Sequence, residues 1–321
     1  MLFLGFSAVP AMSAISGFLF FQGATAQRPP DFARKWRRRV HSLVILFLIW
    51  GTLFAVVGYV VHRVYPDLFA PFFGGDQGFL RTWGNAIIGV TRTQVAFQPW
   101  FVRDLILTVA LSPVIWLLIG RLLWLTIAVL VPLWILDHNL VIFHRFDVLL
   151  FFCFGAASAM HRVRPDLPER WVAPVFALFL AAAMARTLAP WALGRAEGLD
   201  IDVATAAMRV LGALAVWNAA PLALGTRFAA WVGRNSYMAF YVHAAHYPPI
   251  LFVKLALGST IDQSSEAAQI GLYFLTVGLT ISGLLALGRL LGRRTPRLFQ
   301  VISGGRTEGP AKKERAGFLP T

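Results

Sequence analysis

Residues 40–62 read VHSLVILFLIWGTLFAVVGYVVH and contain no Asp, Glu, Lys or Arg. At a rise of about 1.5 Å per residue, a helix of this length crosses the roughly 30 Å hydrocarbon core of a bilayer. Residues 34–39, RKWRRR, come directly before it and supply five cations in six residues. A charge-free run behind a basic cluster predicts a membrane helix whose basic end faces the cytoplasm.

Eight more segments are comparably apolar, which predicts about nine transmembrane helices. The nine predicted helices, 40–62 included, lie roughly at 1–22, 40–62, 102–119, 122–141, 146–160, 171–191, 203–222, 235–257 and 268–291. Only Gly120-Arg121 separates the third from the fourth, so these two read as a tight helical hairpin. The fold class predicted is an all-α, polytopic membrane helix bundle over 1–305, followed by a disordered basic cytoplasmic tail over 306–321.

The composition supports a membrane protein and gives its orientation. Of 321 residues, 58% are hydrophobic and 14% charged, against about 45–50% and 25% in soluble domains. The net charge of +14 would suggest a nucleic-acid partner in a soluble protein. One set of alternate loops, however, holds 20 of the 29 basic and five of the 15 acidic residues, so it carries +15 and the rest −1. We expect that face to be cytoplasmic, with the N-terminus outside, the C-terminus inside and no nucleic-acid partner.

Several kinds of site are disfavoured by the sequence. The single cysteine, Cys153, excludes an internal disulfide framework and a cysteine-based zinc site, and its apolar surroundings predict a buried small residue. His243 and His246 form an H-x-x-H pair without a third ligand nearby, so no metal site is expected. Walker, G-x-G-x-x-G and G-x-S-x-G motifs are also missing from the sequence.

The basic cluster at 34–39 is the first candidate site, next to the span that contains Gly17. Five cations at a membrane surface suit phosphate groups, either of an anionic lipid or of a soluble phosphorylated donor such as a coenzyme A thioester. The alternative is that these charges only set the orientation of the chain.

A second candidate is the segment PWFVRDL at 99–105, where a span begins on the outer side. Trp100 fits an interfacial aromatic belt. Arg103 and Asp104 are adjacent, so on a helix their side chains diverge by about 100°, and each is expected to pair elsewhere or to line an outer cavity. Alternatively, Asp104 simply favours the positive end of the helix dipole.

A third candidate runs from Trp231 to His243. On one continuous helix Ser236, Phe240 and His243 would share a face, with Tyr237 and Tyr241 on the neighbouring stripe. An ionisable side chain inside a membrane is costly and is a functional candidate for that reason. His243 would be either a proton carrier or a hydrogen-bonded interior residue.

Weaker candidates surround an outer turn or lie inside spans. The first group would contact a polar acceptor or form a charged rim, and consists of Asp137, His138, His144, Arg145 and Asp147. The second group would pair with acids or face a water-filled cavity, and consists of Arg186 and Arg209.

Taken in order, these motifs resemble those of the acyltransferase 3 family of integral membrane O-acyltransferases. The resemblance covers roughly residues 1–290 and rests on five pieces in order. They are SGFLFF at 16–21, RVHSL at 39–43 leading to Trp50, WFVRDL at 100–105 with LSP at 111–113, FFCFGA at 151–156, and GRNSY at 233–237 continuing to YVH at 241–243.

The resemblance implies an activity and a location. An acyl group, often acetyl, would pass from cytoplasmic acyl-CoA to a hydroxyl of an extracytoplasmic glycan or lipid-linked sugar, in a bacterial cytoplasmic membrane and without a bound cofactor. The donor phosphates would be bound by Lys35, Arg37, Arg38 and Arg39. The catalytic set would be Arg103 and Asp104 on the outer side, and Tyr237 and His243 in the interior.

One feature of the family has no counterpart in the sequence. Family members usually have about ten spans, and the first carries a histidine regarded as the catalytic base. Here residue 1 falls at what resembles the second span, which accounts for the count of nine. Two other functions therefore stay open: a glycan or lipid transporter or flippase, for which no inverted repeat is seen, and a truncated, non-catalytic member of the family.

Overall fold

The structure is a computed structural model that describes residues 7–67, 69–75, 78–90, 94–95, 99–136, 142–261 and 263–305, except for the side chain of His41. Two sequence predictions fall outside these ranges: the disordered tail over 306–321, and the placement of Asp137 and His138 beside an outer turn.

The described ranges contain sixteen α-helices and no β-strand. A π-helical turn, Val40–Val44, precedes α3, and a 3₁₀ turn, Ser236–Met238, precedes α13. The helices are α1 Ala8–Phe21, α2 Phe32–Arg39, α3 Ile45–Val64, α4 Ala70–Phe73, α5 Phe79–Ile88, α6 Trp100–Ala110, α7 Ser112–Arg121, α8 Leu123–Ile135, α9 Asp147–His161, α10 Glu169–Leu193, α11 Leu199–Ala223, α12 Arg227–Asn235, α13 Ala239–Ala245, α14 Pro249–Gly258, α15 Glu266–Arg294 and α16 Pro296–Ile302.

Three helical stretches among the described residues are long and apolar enough to cross a membrane: Phe32–Val64, α10 and α15. The bent pair α6 and α7 makes a fourth if it is one span. Four more helices, α1, α8, α9 and α14, are apolar but have only 10–17 residues. This all-helical, apolar architecture fits the predicted membrane helix bundle, while the count of nine spans and the orientation of the termini stay predictions.

The segment predicted to span the membrane over 235–257 is not one helix. It consists of the 3₁₀ turn, α13 and α14, with a break after Ala245. Pro248 and Pro249 explain the break, because proline lacks the amide hydrogen that a continuous helix requires and its ring clashes with the carbonyl four residues earlier. The prediction of a single helix over this segment was therefore wrong.

The chain divides into two compact units, each of which is described by itself. The first comprises Met1–Arg39 and Phe101–Thr226, and the second Val40–Trp100 and Arg227–Thr321. Both fall largely within the predicted domain 1–305.

The first unit is organised around the close approach of α1 and α9. A Cβ atom added to Gly17 would overlap the carbonyl oxygen of Phe152, and one added to Gly155 would overlap the carbonyl oxygen of Ala14. Small residues that let two helix backbones meet are typical of membrane proteins. Gly17 and Gly155 thus allow the backbones of α1 and α9 to come into contact.

The bend between α6 and α7 has a local cause in the same unit. The two helices meet at 64°, and Pro113 lies in the first turn of α7. Proline cannot donate to the carbonyl four residues earlier, which is that of Val109. The indole Nε1 of Trp36 donates to this carbonyl at 2.9 Å and to Ser112 Oγ at 3.1 Å. Trp36 thus satisfies the backbone group that the bend exposes.

The second unit packs α3, α13, α15 and α16 around an aromatic core. The ring of Tyr241 lies 5.6 Å from that of Phe299 and 6.2 Å from that of Trp50, between ring centroids. Trp50 Nε1 donates to the carbonyl of Ile302 at 3.2 Å. This contact joins α3 to the end of α16 and gives the indole the partner that a buried tryptophan needs.

Candidate active site

Arg103 and Asp104 contact each other, contrary to the prediction that they diverge. Arg103 Nη1 donates to Asp104 Oδ1 at 2.9 Å and to the carbonyl of Ile142 at 2.9 Å. Both side chains turn towards the segment that follows α8, and the long, flexible arginine curls back to reach its neighbour. The 100° separation of adjacent positions constrains the Cβ directions but not the tip of an arginine.

Asp104 is fully buried and its carboxylate is saturated with hydrogen bonds. In addition to Arg103, it accepts the backbone amides of His144 at 3.0 Å and Arg145 at 2.8 Å. A buried carboxylate is tolerated when it is paired and fully hydrogen-bonded. Asp104 therefore fixes Arg103 and the segment 142–145.

A second buried carboxylate lies at the start of α9. Asp147 Oδ1 accepts Arg209 Nη1 at 3.0 Å and also the indole of Trp134, while Oδ2 accepts Arg145 Nη2 at 3.0 Å. The Asp147 side chain is 3% exposed. Arg209, on α11, is thus paired with an acid, as one of the sequence alternatives held. Arg186 Nε instead donates to Thr205 Oγ1 at 2.8 Å.

His144 lies between these two carboxylates in the chain. Its Nε2 atom is buried and has no hydrogen-bond partner among the described residues. Burial, and after it the positive charge of Arg103, lowers the pKa of His144. A lowered pKa favours the neutral form of the imidazole. From the sequence, His144 was expected either to contact a polar acceptor or to form part of a charged rim.

The basic cluster on α2 is divided by its contacts. The Lys35 ammonium donates to the carbonyl of Phe20 and lies 5.3 Å from the centroid of the Phe20 ring. Arg37 and Arg38 are exposed, and Arg39 is half-buried. Arg34 is exposed too, but it pairs with Asp31 at 3.6 Å. Arg37, Arg38 and Arg39 are thus the cations of the cluster that could meet phosphate, whereas Lys35 anchors α2 to the end of α1.

Tyr237 and His243 belong to the second unit. Their helical faces are not those predicted, because the 3₁₀ turn interrupts the helix before α13. Met238, Tyr241 and Ala245 form the buried face of this segment, so His243 is on the opposite side and is exposed. His243 therefore lies outside the buried face of this segment, and its catalytic role stays a prediction. Its ring lies 5.9 Å from that of His246, between centroids.

Tyr237 lines an open cleft that the sequence did not predict. We call it the arginine cleft, and define it by Trp231, Arg234, Asn235, Tyr237, Arg289, Arg293, Arg297 and Phe299. Arg234 belonged to the third candidate segment, whereas Arg289, Arg293 and Arg297, which recur every four residues, had been assigned only a topological role. In the part of the chain that the structure describes, no three His, Cys, Asp or Glu side chains are grouped to hold a metal ion.

Comparison with known proteins identifies the family. The sequence profile described as an acyltransferase domain, Acyl_transf_3, matches residues 1–289. The chain belongs to the acyltransferase 3 family. It is also similar to the succinoglycan biosynthesis protein ExoH of Rhizobium meliloti (strain 1021), with 29% identity over 327 residues, which cover 97% of this chain and 84% of that protein. No solved structure matches.

The acyltransferase match extends over residues of both units. It includes both buried carboxylates and Arg209, as well as Tyr237, His243 and Arg289, and it ends before Arg293. The resemblance stated from the motifs is confirmed, and the chain is a helical membrane protein with an acyltransferase domain. The individual catalytic roles stay predictions.

Proposed function

We propose that the chain is an integral membrane O-acyltransferase that moves an acyl group, acetyl in the simplest case, from cytoplasmic acyl-CoA to a hydroxyl of an extracytoplasmic polysaccharide or its lipid-linked precursor. The observation that carries this proposal is the family match over residues 1–289. The relative ExoH, named for succinoglycan biosynthesis, supports a polysaccharide as acceptor. The proposed location is a bacterial cytoplasmic membrane, with the N-terminus outside and the C-terminus inside.

The reaction requires a base, a polarised carbonyl and little water. A base removes the proton of the acceptor hydroxyl, whose oxygen then bonds to the thioester carbonyl carbon. The carbon–sulfur bond breaks, and coenzyme A leaves as a thiol after taking up the proton. Positive charge near the carbonyl oxygen stabilises the intermediate, most effectively where water is excluded.

Arg103, in the first unit, suits the requirement for positive charge near the carbonyl oxygen. Arg103 is held at 2.9 Å by both Asp104 and the carbonyl of Ile142, and its side chain is 11% exposed. A guanidinium fixed in this way is preorganised to orient polar groups. We assign Arg103 to orienting the substrate, Asp104 to positioning Arg103, and His243 with Tyr237 to the proton transfer.

The donor phosphates are assigned to the α2 cluster. The exposed guanidiniums of Arg37 and Arg38 and the half-buried Arg39 present planar, bidentate donors. Lys35 contributes by anchoring the helix through Phe20.

Substitution of His243 or Arg39 tests this assignment in cells. We expect His243→Ala to lower the acyl ester content of the polysaccharide at least about a hundredfold, the usual size of an acid–base contribution. Arg39→Gln should lower it at least about tenfold, because a charge-assisted hydrogen bond to the donor phosphates is lost. The amount of each variant in the membrane fraction should equal that of the wild type. Exposed Arg195 serves as the charge-matched control, as Arg195→Gln. Normal esterification by both variants would refute the assignment.

A further inference from the structure

The arginine cleft in the second unit has the character of a binding site for an anion. It encloses about 740 Å³, and four arginines line it. Arg234 comes from the end of α12, Arg289 and Arg293 from the last turns of α15, and Arg297 from the start of α16. Three helices thus converge with their cationic side chains on one space.

The positive charge of the cleft is not neutralised within the described residues. None of the four guanidiniums has a carboxylate within 4.0 Å among them. Arg289 and Arg293 are separated by one helical turn, where like charges destabilise a helix. Arg289 Nη2 donates to Asn235 Oδ1 at 2.9 Å, which orients the arginine without adding negative charge. A bound anion would relieve this repulsion.

The remaining wall of the cleft is aromatic. Trp231 is 44% exposed, and the ring of Tyr237 packs edge-on against the buried Phe299 at 6.1 Å between centroids. Guanidiniums bind phosphate in a bidentate manner, and exposed aromatic faces stack on planar rings. The arginines and the aromatic side chains together suit a phosphorylated molecule that also carries an aromatic base.

We propose that the arginine cleft binds the phosphate groups of a ligand, and that this ligand is the nucleotide portion of a coenzyme A donor. The cleft is thus the alternative to the α2 cluster as the place where the donor phosphates bind. The identity of the ligand rests on the proposed acyl transfer, whereas the phosphate site rests on the cleft alone. An anionic lipid headgroup presents the same phosphate chemistry, so the experiment must distinguish these two sources.

Coenzyme A binding to two double variants tests the proposal. The full chain is placed in nanodiscs of zwitterionic phosphatidylcholine, and coenzyme A affinity is measured by calorimetry. We expect Arg289→Gln/Arg293→Gln to weaken binding at least tenfold. The control, Arg227→Gln/Arg294→Gln, removes the same charge from exposed positions outside the cleft and should stay within twofold of the wild type.

A lipid arm separates the two phosphate sources. Melting temperatures are compared in phosphatidylglycerol and phosphatidylcholine nanodiscs. One outcome would overturn the nucleotide assignment and support a phosphate site for a lipid headgroup. In this outcome the cleft variant keeps its coenzyme A affinity, and it alone loses the stabilisation by phosphatidylglycerol. If both double variants behave alike in both arms, the cleft is not a phosphate site.

A measurement on the unaltered chain covers the case in which the cleft variant does not fold. Phenylglyoxal modifies exposed arginines, and mass spectrometry locates the adducts. Coenzyme A should protect Arg289 and Arg293 but not Arg227 and Arg294, and equal modification with and without it overturns the proposal. Acyl transfer is assayed separately. If the cleft variant still transfers acyl groups, the assignment of coenzyme A to the cleft is refuted but the proposed function is not. If the wild type binds coenzyme A without transferring an acyl group, the proposed function is refuted but binding in the cleft is not.

Discussion

Replacing Asp147 by asparagine should strongly destabilise the first unit. The carboxylate compensates Arg145 and Arg209 and accepts the indole of Trp134, all in a side chain that is 3% exposed. Removing one member of a buried ion pair typically costs about 3–5 kcal/mol, because the remaining charge is left uncompensated. We expect the melting temperature of the detergent-solubilised protein to fall on the order of 10 °C.

Asp200→Asn is the matched control for this substitution. Asp200 pairs with Arg195 at 2.6 Å, but both side chains are at least half exposed, so water replaces the lost partner. The two variants make the same chemical change in the same unit and differ in burial. Asp147→Asn should also be rescued in part by Arg209→Met, since the double variant no longer carries the uncompensated Arg209. Equal melting temperatures for Asp147→Asn and Asp200→Asn would contradict the structural role of the buried pair.

Replacing Gly155 by alanine should separate α1 from α9. The added Cβ would overlap the carbonyl oxygen of Ala14 and lie 2.7 Å from the amide nitrogen of Phe18. Both contacts are with backbone, which cannot rotate away as a side chain can, so whole helices must shift. We expect a loss of about 3 kcal/mol, the upper range for overpacking, measured by thermal unfolding followed by circular dichroism.

Gly278→Ala provides the comparison. Gly278 lies on α15, where an added Cβ meets nothing within 4 Å. There alanine should leave stability unchanged or raise it by up to about 1 kcal/mol, because it restricts the unfolded chain and favours helix. A drop in Gly278→Ala as large as that in Gly155→Ala would show that the loss comes from glycine replacement as such and not from the helix contact.

The sequence could predict most helices because the physical requirement is local. Long apolar runs give helices such as α10 and α15, and the predicted interval Gly120-Arg121 coincides with the end of α7, shortly before α8 begins at Leu123. The break after α13 was missed although Pro248 and Pro249 were visible, since the apolar content of 235–257 outweighed them. A hydropathy pattern measures transfer to lipid and does not register a missing backbone hydrogen bond.

The site was harder to predict because its contacts are distant in sequence. Asp147 and Arg209 are 62 positions apart, and their pairing depends on how α9 and α11 pack. Arg103 and Asp104 are adjacent, yet their pairing was also missed. It depends on the length of the arginine side chain and not on the angle between neighbouring positions of a helix. The arginine cleft combines residues from 231 to 300, and its charges were accounted for by topology alone.

The most direct test of the proposed acyl transfer uses the purified chain in nanodiscs with radiolabelled acetyl-CoA and deacylated polysaccharide. The proposal predicts alkali-labile label on the polysaccharide, formed in step with free coenzyme A thiol and lowered at least about a hundredfold in His243→Ala. Release of thiol without label on the polysaccharide, or no thiol release at all from a chain that binds the polysaccharide, would contradict it.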